Sequence, residues 1–92
     1  MIVVTALGGT DPHRFEVVLR EGQGETRHEV TLSAVDHAAF GGDATALVRA
    51  AFAFLIDREP KEAILSRFDL GVIARYFPEF ARELPRYLGP RA

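Results

Sequence analysis

A chain of 92 residues without cysteine has room for one hydrophobic core and none for disulfides, thiolate nucleophiles or thiolate metal sites. Its 48% apolar and 26% charged residues are the proportions of an ordered globular domain, and a net charge of -2 makes no electrostatic case for nucleic acid. Three arginines stand against seven acids in residues 1–44 and eight basic residues against six acids in the rest, an asymmetry that can orient an encounter with a partner but names none.

Residues 1–7 form a short β-like run that meets Gly8, Gly9 and Asp11, not the basic, apolar and cleavable order of a secretory signal. The longest apolar stretch, residues 50–56, is far too short for a bilayer, so a cytoplasmic protein with no membrane contact is expected. Ile2, Val3, Val4 and Thr5 are β-branched and favour a strand, closed by Gly8-Gly9-Thr10-Asp11-Pro12; whether this strand joins a sheet is left open.

Residues 14–20 alternate, with Phe15, Val17 and Leu19 on one face and Arg14, Glu16 and Arg20 on the other. After Glu21-Gly22-Gln23-Gly24-Glu25 the alternation resumes, with His28, Val30 and Leu32 apolar-side and Arg27, Glu29, Thr31 and Ser33 opposite. Burying odd positions of one strand with even positions of the next requires opposed residue numbers to have an odd sum. A loop over residues 22–25 sets Leu19 against His28, Val17 against Val30 and Phe15 against Leu32; a two-residue Gly22-Gln23 loop keeps the same parity.

Ser33 is placed to cap a short helix over residues 34–40, with Asp36 at the third helical position and Gly41-Gly42 as the stop. A longer helix starts at Asp43 or Thr45 and runs to about Asp57. Alanines supply its propensity, and Leu47, Val48, Phe52, Phe54, Leu55 and Ile56 its bulk. Arg49 is the only charge between Thr45 and Asp57, so this helix is expected to be surrounded, by the sheet on one side and by C-terminal helices or a second copy on the other. Leu47, Val48, Phe52 and Leu55 are its candidate interaction surface.

Pro60 suits the first turn of a second helix over 60–66, with Ile64 and Leu65 inward. A third is predicted over 69–77, its first amides met by Asp69, and a fourth after Pro78 with Phe80 and Leu84 on one face until Pro85 ends or kinks it. The fold class is therefore α+β: two or three antiparallel strands in residues 1–33, a long helix and several short helices in 34–88, and a frayed tail over 89–92, all one domain.

The residues that carry chemistry are sparse. His13, His28 and His37 lack the spacing of a zinc site, and no metal or cofactor is expected. His28 sits on an apolar strand face, where a histidine bonded to backbone or water is the ordinary case; as a general base it needs an orienting carboxylate that neither Arg27 nor Glu29 supplies. Asp57, Glu59 and Glu62 surround a helix break together with Arg58 and Lys61, which reads as a solvated corner. The glycine pairs match no nucleotide fingerprint. The 60–77 helix pair has a helix-turn-helix outline, but Arg75 is the one base-reading side chain on its second helix, so nucleic acid is not an expected partner.

The segment Arg58-Glu59-Pro60-Lys61-Glu62-Ala63-Ile64-Leu65-Ser66-Arg67-Phe68-Asp69-Leu70, with Tyr76-Phe77-Pro78-Glu79-Phe80 beyond it, resembles the C-terminal signature of a group of small bacterial proteins of unknown function. Arg14-Phe15-Glu16-Val17 and Thr26-Arg27-His28-Glu29-Val30 are similar as well. The resemblance implies a complete natural protein and carries no activity or catalytic residue with it. The function expected from the residues is a noncatalytic protein-interaction module that self-associates through the apolar helix surface or a free strand edge. The alternatives are a small enzyme or ligand-binding protein using His28, and a nucleic-acid-binding regulator using the 60–77 pair.

Overall fold

The structure, a computed structural model, describes residues 1–88; the tail expected to fray, 89–92, lies outside them. Strands β1 (Ile2–Gly8), β2 (His13–Arg20) and β3 (Glu25–Leu32) form an antiparallel meander, and β4 (Arg67–Asp69) pairs parallel to β3, giving one four-stranded mixed sheet in the order β1-β2-β3-β4. Helices α1 (Ala34–Phe40) and α2 (Ala44–Ile56) cross between β3 and β4, and α3 (Ile73–Tyr76) and α4 (Phe80–Tyr87) follow.

The hairpin has the odd-sum parity that the alternation demands, and its register is that of the shorter loop: Phe15 faces Val30, Val17 faces His28 and Leu19 faces Thr26. Arg20 and Glu25 close the ladder with an ion pair at 2.9 Å, which leaves residues 21–24 as the connection. Phe15, Val17, Leu19, Val30 and Leu32 are thereby buried on one face, each stabilising the fold by roughly 1.5–3 kcal/mol through burial.

Ser33 Oγ accepts the Asp36 amide at 3.0 Å and starts α1; Asp43 Oδ2 accepts the Ala46 amide at 2.8 Å and starts α2. α2 is enclosed, as its composition requires: it lies against β1 and α4, and Arg49 alone is exposed along it. Phe80 and Leu84 of α4 are buried in this contact, with the Phe54 and Phe80 ring centroids 5.0 Å apart. No single described helix is long and apolar enough to cross a membrane; α1 and α2 reach that length only together, across an 81° bend.

Three expectations are corrected. The sheet has four strands, one of them parallel, so the division into a β part over 1–33 and a helical part over 34–88 does not hold. The helix expected over 60–66 is a single 3-10 turn, Lys61–Ala63, because the Glu29 amide reaches the Ser66 carbonyl at 2.8 Å and draws the following residues into β4. Ile64 is buried but Leu65 points to solvent. α4 continues through Pro85 to Tyr87, where Tyr87 Oη donates to Asp57 at 2.7 Å; a proline here forfeits one backbone bond that side-chain packing outweighs.

Candidate interaction surface

Leu47, Val48, Phe52 and Leu55 are all buried against the sheet and the C-terminal segment. The proposed helix surface is therefore spent inside the chain and is not available to a partner: in so small a domain the core has no other large apolar element to draw on.

The free edge of the sheet is a different matter. Met1 and Arg20 exchange two main-chain hydrogen bonds, at 2.6 and 2.9 Å, and an antiparallel ladder alternates such pairs, so Met1, Val3 and Thr5 turn their amides toward β2. Ile2, Val4 and Ala6 then turn theirs outward, where no strand of the described residues lies. No charged side chain occurs before Asp11 and no proline before Pro12, so this edge carries none of the usual guards against pairing. On the outer face of the sheet Met1, Val3 and Leu7 are exposed, at 72%, 37% and 42%. The opposite edge, β4, has only Arg67, Phe68 and Asp69, and Asp69 is engaged on both oxygens, by Thr31 Oγ1 at 2.6 Å and the Gly71 amide at 2.9 Å.

Inward from the free edge the outer face becomes a lattice of ion pairs. Arg27 bridges Glu16 and Glu25 at 3.5 and 3.2 Å, and Arg14 and Arg67 approach Glu29 at 3.9 and 3.8 Å. The Arg20 hydrogen bond, helped by the charges of Arg20 and Arg27, holds the Glu25 carboxyl below the ordinary carboxylate range.

His28 is buried with both ring nitrogens occupied. Nδ1 lies 2.6 Å from the Leu65 carbonyl, which can only accept, so Nδ1 donates; in the neutral ring Nε2 then accepts from Thr26 Oγ1 at 2.8 Å. The Phe52 ring lies beside it, tilted by 53° with centroids 5.5 Å apart. His37 Nε2 bonds the Gly42 carbonyl at 2.7 Å, and His13 lies against Phe15. Among the described residues no cluster of three metal-ligating side chains occurs and no buried side-chain nitrogen or oxygen lacks a partner.

The cations of residues 58–86 do not form one row. Arg58 sits 3.6 Å over the Phe54 ring and bonds Glu79 at 3.2 Å; Arg82 and Arg86 both address Glu83. Lys61 is buried: its Nζ donates to the Glu21 and Gln23 carbonyls at 2.8 and 3.2 Å, tying the hairpin tip to the 3-10 turn, and meets Glu62 at 2.8 Å. Its setting among charged neighbours in the sequence gives no sign of this role. The helix-turn-helix outline over 60–77 is absent, since β4 separates the 3-10 turn from α3.

A groove of about 430 Å³ opens between the end of α2 and α3, with Leu65 and Tyr76 exposed at its rim, Phe68 and Phe77 in its wall and Glu59 as its one carboxylate. No histidine, serine or cation lines it. Compared with protein families, curated proteins and solved structures, the chain matches none.

Proposed function

We propose that this domain is a noncatalytic protein-interaction module that binds by strand addition at β1. The observation that carries the reading is the free edge itself: outward amides at Ile2, Val4 and Ala6, with no charged side chain on the strand to discourage a second strand. Each main-chain bond gained is worth only about 0.5–1.5 kcal/mol net, so the exposed Met1, Val3 and Leu7 side chains supply the remainder of the affinity by burial. The engagement of His28 by Thr26 and Leu65 supports a structural rather than a catalytic role for the one buried histidine.

The test is a photo-reactive residue placed at Thr5 in the living cell, with the same residue at exposed Val35 as control. A discrete adduct to a protein chain from Thr5 and not from Val35 is the expected result. Equal, diffuse labelling from both positions would refute the reading.

A further inference from the structure

Resting on the strand-addition reading, we infer that the strand β1 receives is β1 of a second copy of this chain, paired antiparallel about a two-fold axis at Val4. A two-fold axis at Val4 pairs each position with the one an equal distance beyond the axis in an identical strand, so a strand carrying charge of one sign repels its twin, while a strand facing a different protein can gain from complementary charge. β1 has no side-chain charge, and the terminal ammonium at Met1 is directed to the Arg20 carbonyl, away from the seam. The strand thus has the composition that self-pairing needs.

The backbone selects the register. β1 follows β2 regularly from Ile2 to Ala6, and the ladder shifts between Ala6 and Gly8. Val4 is the centre of that regular stretch. Pairing about Val4 sets the outward amides of Val4 against the partner's Val4 and those of Ile2 against the partner's Ala6, so every outward donor and acceptor of the regular strand is used. Pairing about Thr5 instead sends Ile2 to the partner's Gly8, beyond the irregularity.

Side chains agree with this choice. An even sum of opposed numbers keeps the faces together: Val3 meets the partner's Thr5 on the outer face, and the exposed Met1 comes near the partner's Leu7 where the strand turns irregular. The two four-stranded sheets become one continuous sheet with the helices of both copies on the same side, and the long free edge at β1 disappears. What remains at each end is β4, three residues long and charged.

Light scattering on the purified chain at two concentrations a hundredfold apart is expected to show a mass that rises from one chain toward two. Thr5→Lys and Thr5→Glu, both on the outer face and of opposite sign, are each expected to raise the dimer dissociation constant at least tenfold while the thermal melt of the monomer is kept; Val35→Lys is expected to leave the mass unchanged. Because the chain has no cysteine, the register is read directly by Val3→Cys and Thr5→Cys. Mixed under oxidation they are expected to cross-link to each other, and each alone to stay uncross-linked. A mass of one chain at both concentrations overturns self-pairing, while a Thr5 adduct to a different protein in the cell leaves strand addition standing. Cross-linking of Thr5→Cys with itself overturns the Val4 axis.

Discussion

His28 Nδ1 donates to the Leu65 carbonyl across 2.6 Å, joining the inner face of β3 to the segment that enters β4. One residue further on each side, the Glu29 amide takes the Ser66 carbonyl, so the imidazole and the backbone together hold the parallel strand in place. The bond also fixes the ring: with Nδ1 donating, the neutral tautomer carries its proton there and Nε2 is left to accept from Thr26. Long-range nitrogen–proton NMR should find the Nδ1–H form, and His28→Ala should cost about 1–3 kcal/mol in denaturant unfolding by leaving the Leu65 carbonyl without its partner. An Nε2–H ring would contradict the assignment.

Leu47 separates the core reading of α2 from the interface reading. Because the residue is 1% exposed, Leu47→Ala should destabilise the monomer by roughly 2–5 kcal/mol, whereas Val35→Ser, at an exposed site on α1, should stay within about 0.5 kcal/mol of the parent. Equal small effects in chemical denaturation would show that α2 is not the core element described.

Lys61 clamps the hairpin tip from below. Replacing it with Met keeps the aliphatic stem and removes both bonds to the Glu21 and Gln23 carbonyls. A loss of about 1–3 kcal/mol is expected for these charge-assisted bonds, with faster amide exchange at residues 21–25 than elsewhere in the sheet. Uniformly raised exchange across the whole chain would speak against a local clamp.

Glu79 gives the domain an acid-side dependence. Its own backbone amide, and then Arg58, hold its carboxyl below the usual value, so the folded form binds the proton less readily than the unfolded chain. A depressed carboxylate stabilises the fold at pH above the unfolded value, and that contribution is lost as pH falls through the folded one. The melting temperature should therefore decline below about pH 4.5, the ordinary carboxylate range, and Glu79→Gln should flatten part of that decline. Glu62, lowered first by its bond to Lys61, acts in the same direction, and an unchanged pH profile in the doubly substituted chain would refute both.

The hairpin shows where sequence legibility ends. Alternation over residues 14–20 and 27–32 dictates which faces meet, since a one-residue slip exposes every apolar side chain. It does not separate registers two residues apart; the folded chain has the one that sets Arg20 opposite Glu25. The caps at Ser33 and Asp69 were legible because a cap is a contact over two or three residues, whereas the start of α2 was left between Asp43 and Thr45. β4 was not: Arg67, Phe68 and Asp69 have no strand pattern of their own and become a strand only by docking on β3. The same holds for the candidate surface, because an apolar helix looks alike whether its own chain or another covers it.

Residue order by itself determined the elements whose causes are local: the β-branched and alternating runs, the side-chain caps, the alanine-rich helix and the single small core without thiols or a metal motif. Tertiary structure alone decided which apolar surface was consumed and which strand was left at the edge, with its charges absent and its amides turned outward. The reason is physical: propensity and periodicity act over one or two turns of chain, whereas burial of α2, capture of Lys61 and exposure of β1 depend on groups that come together only once the whole chain has closed around its core.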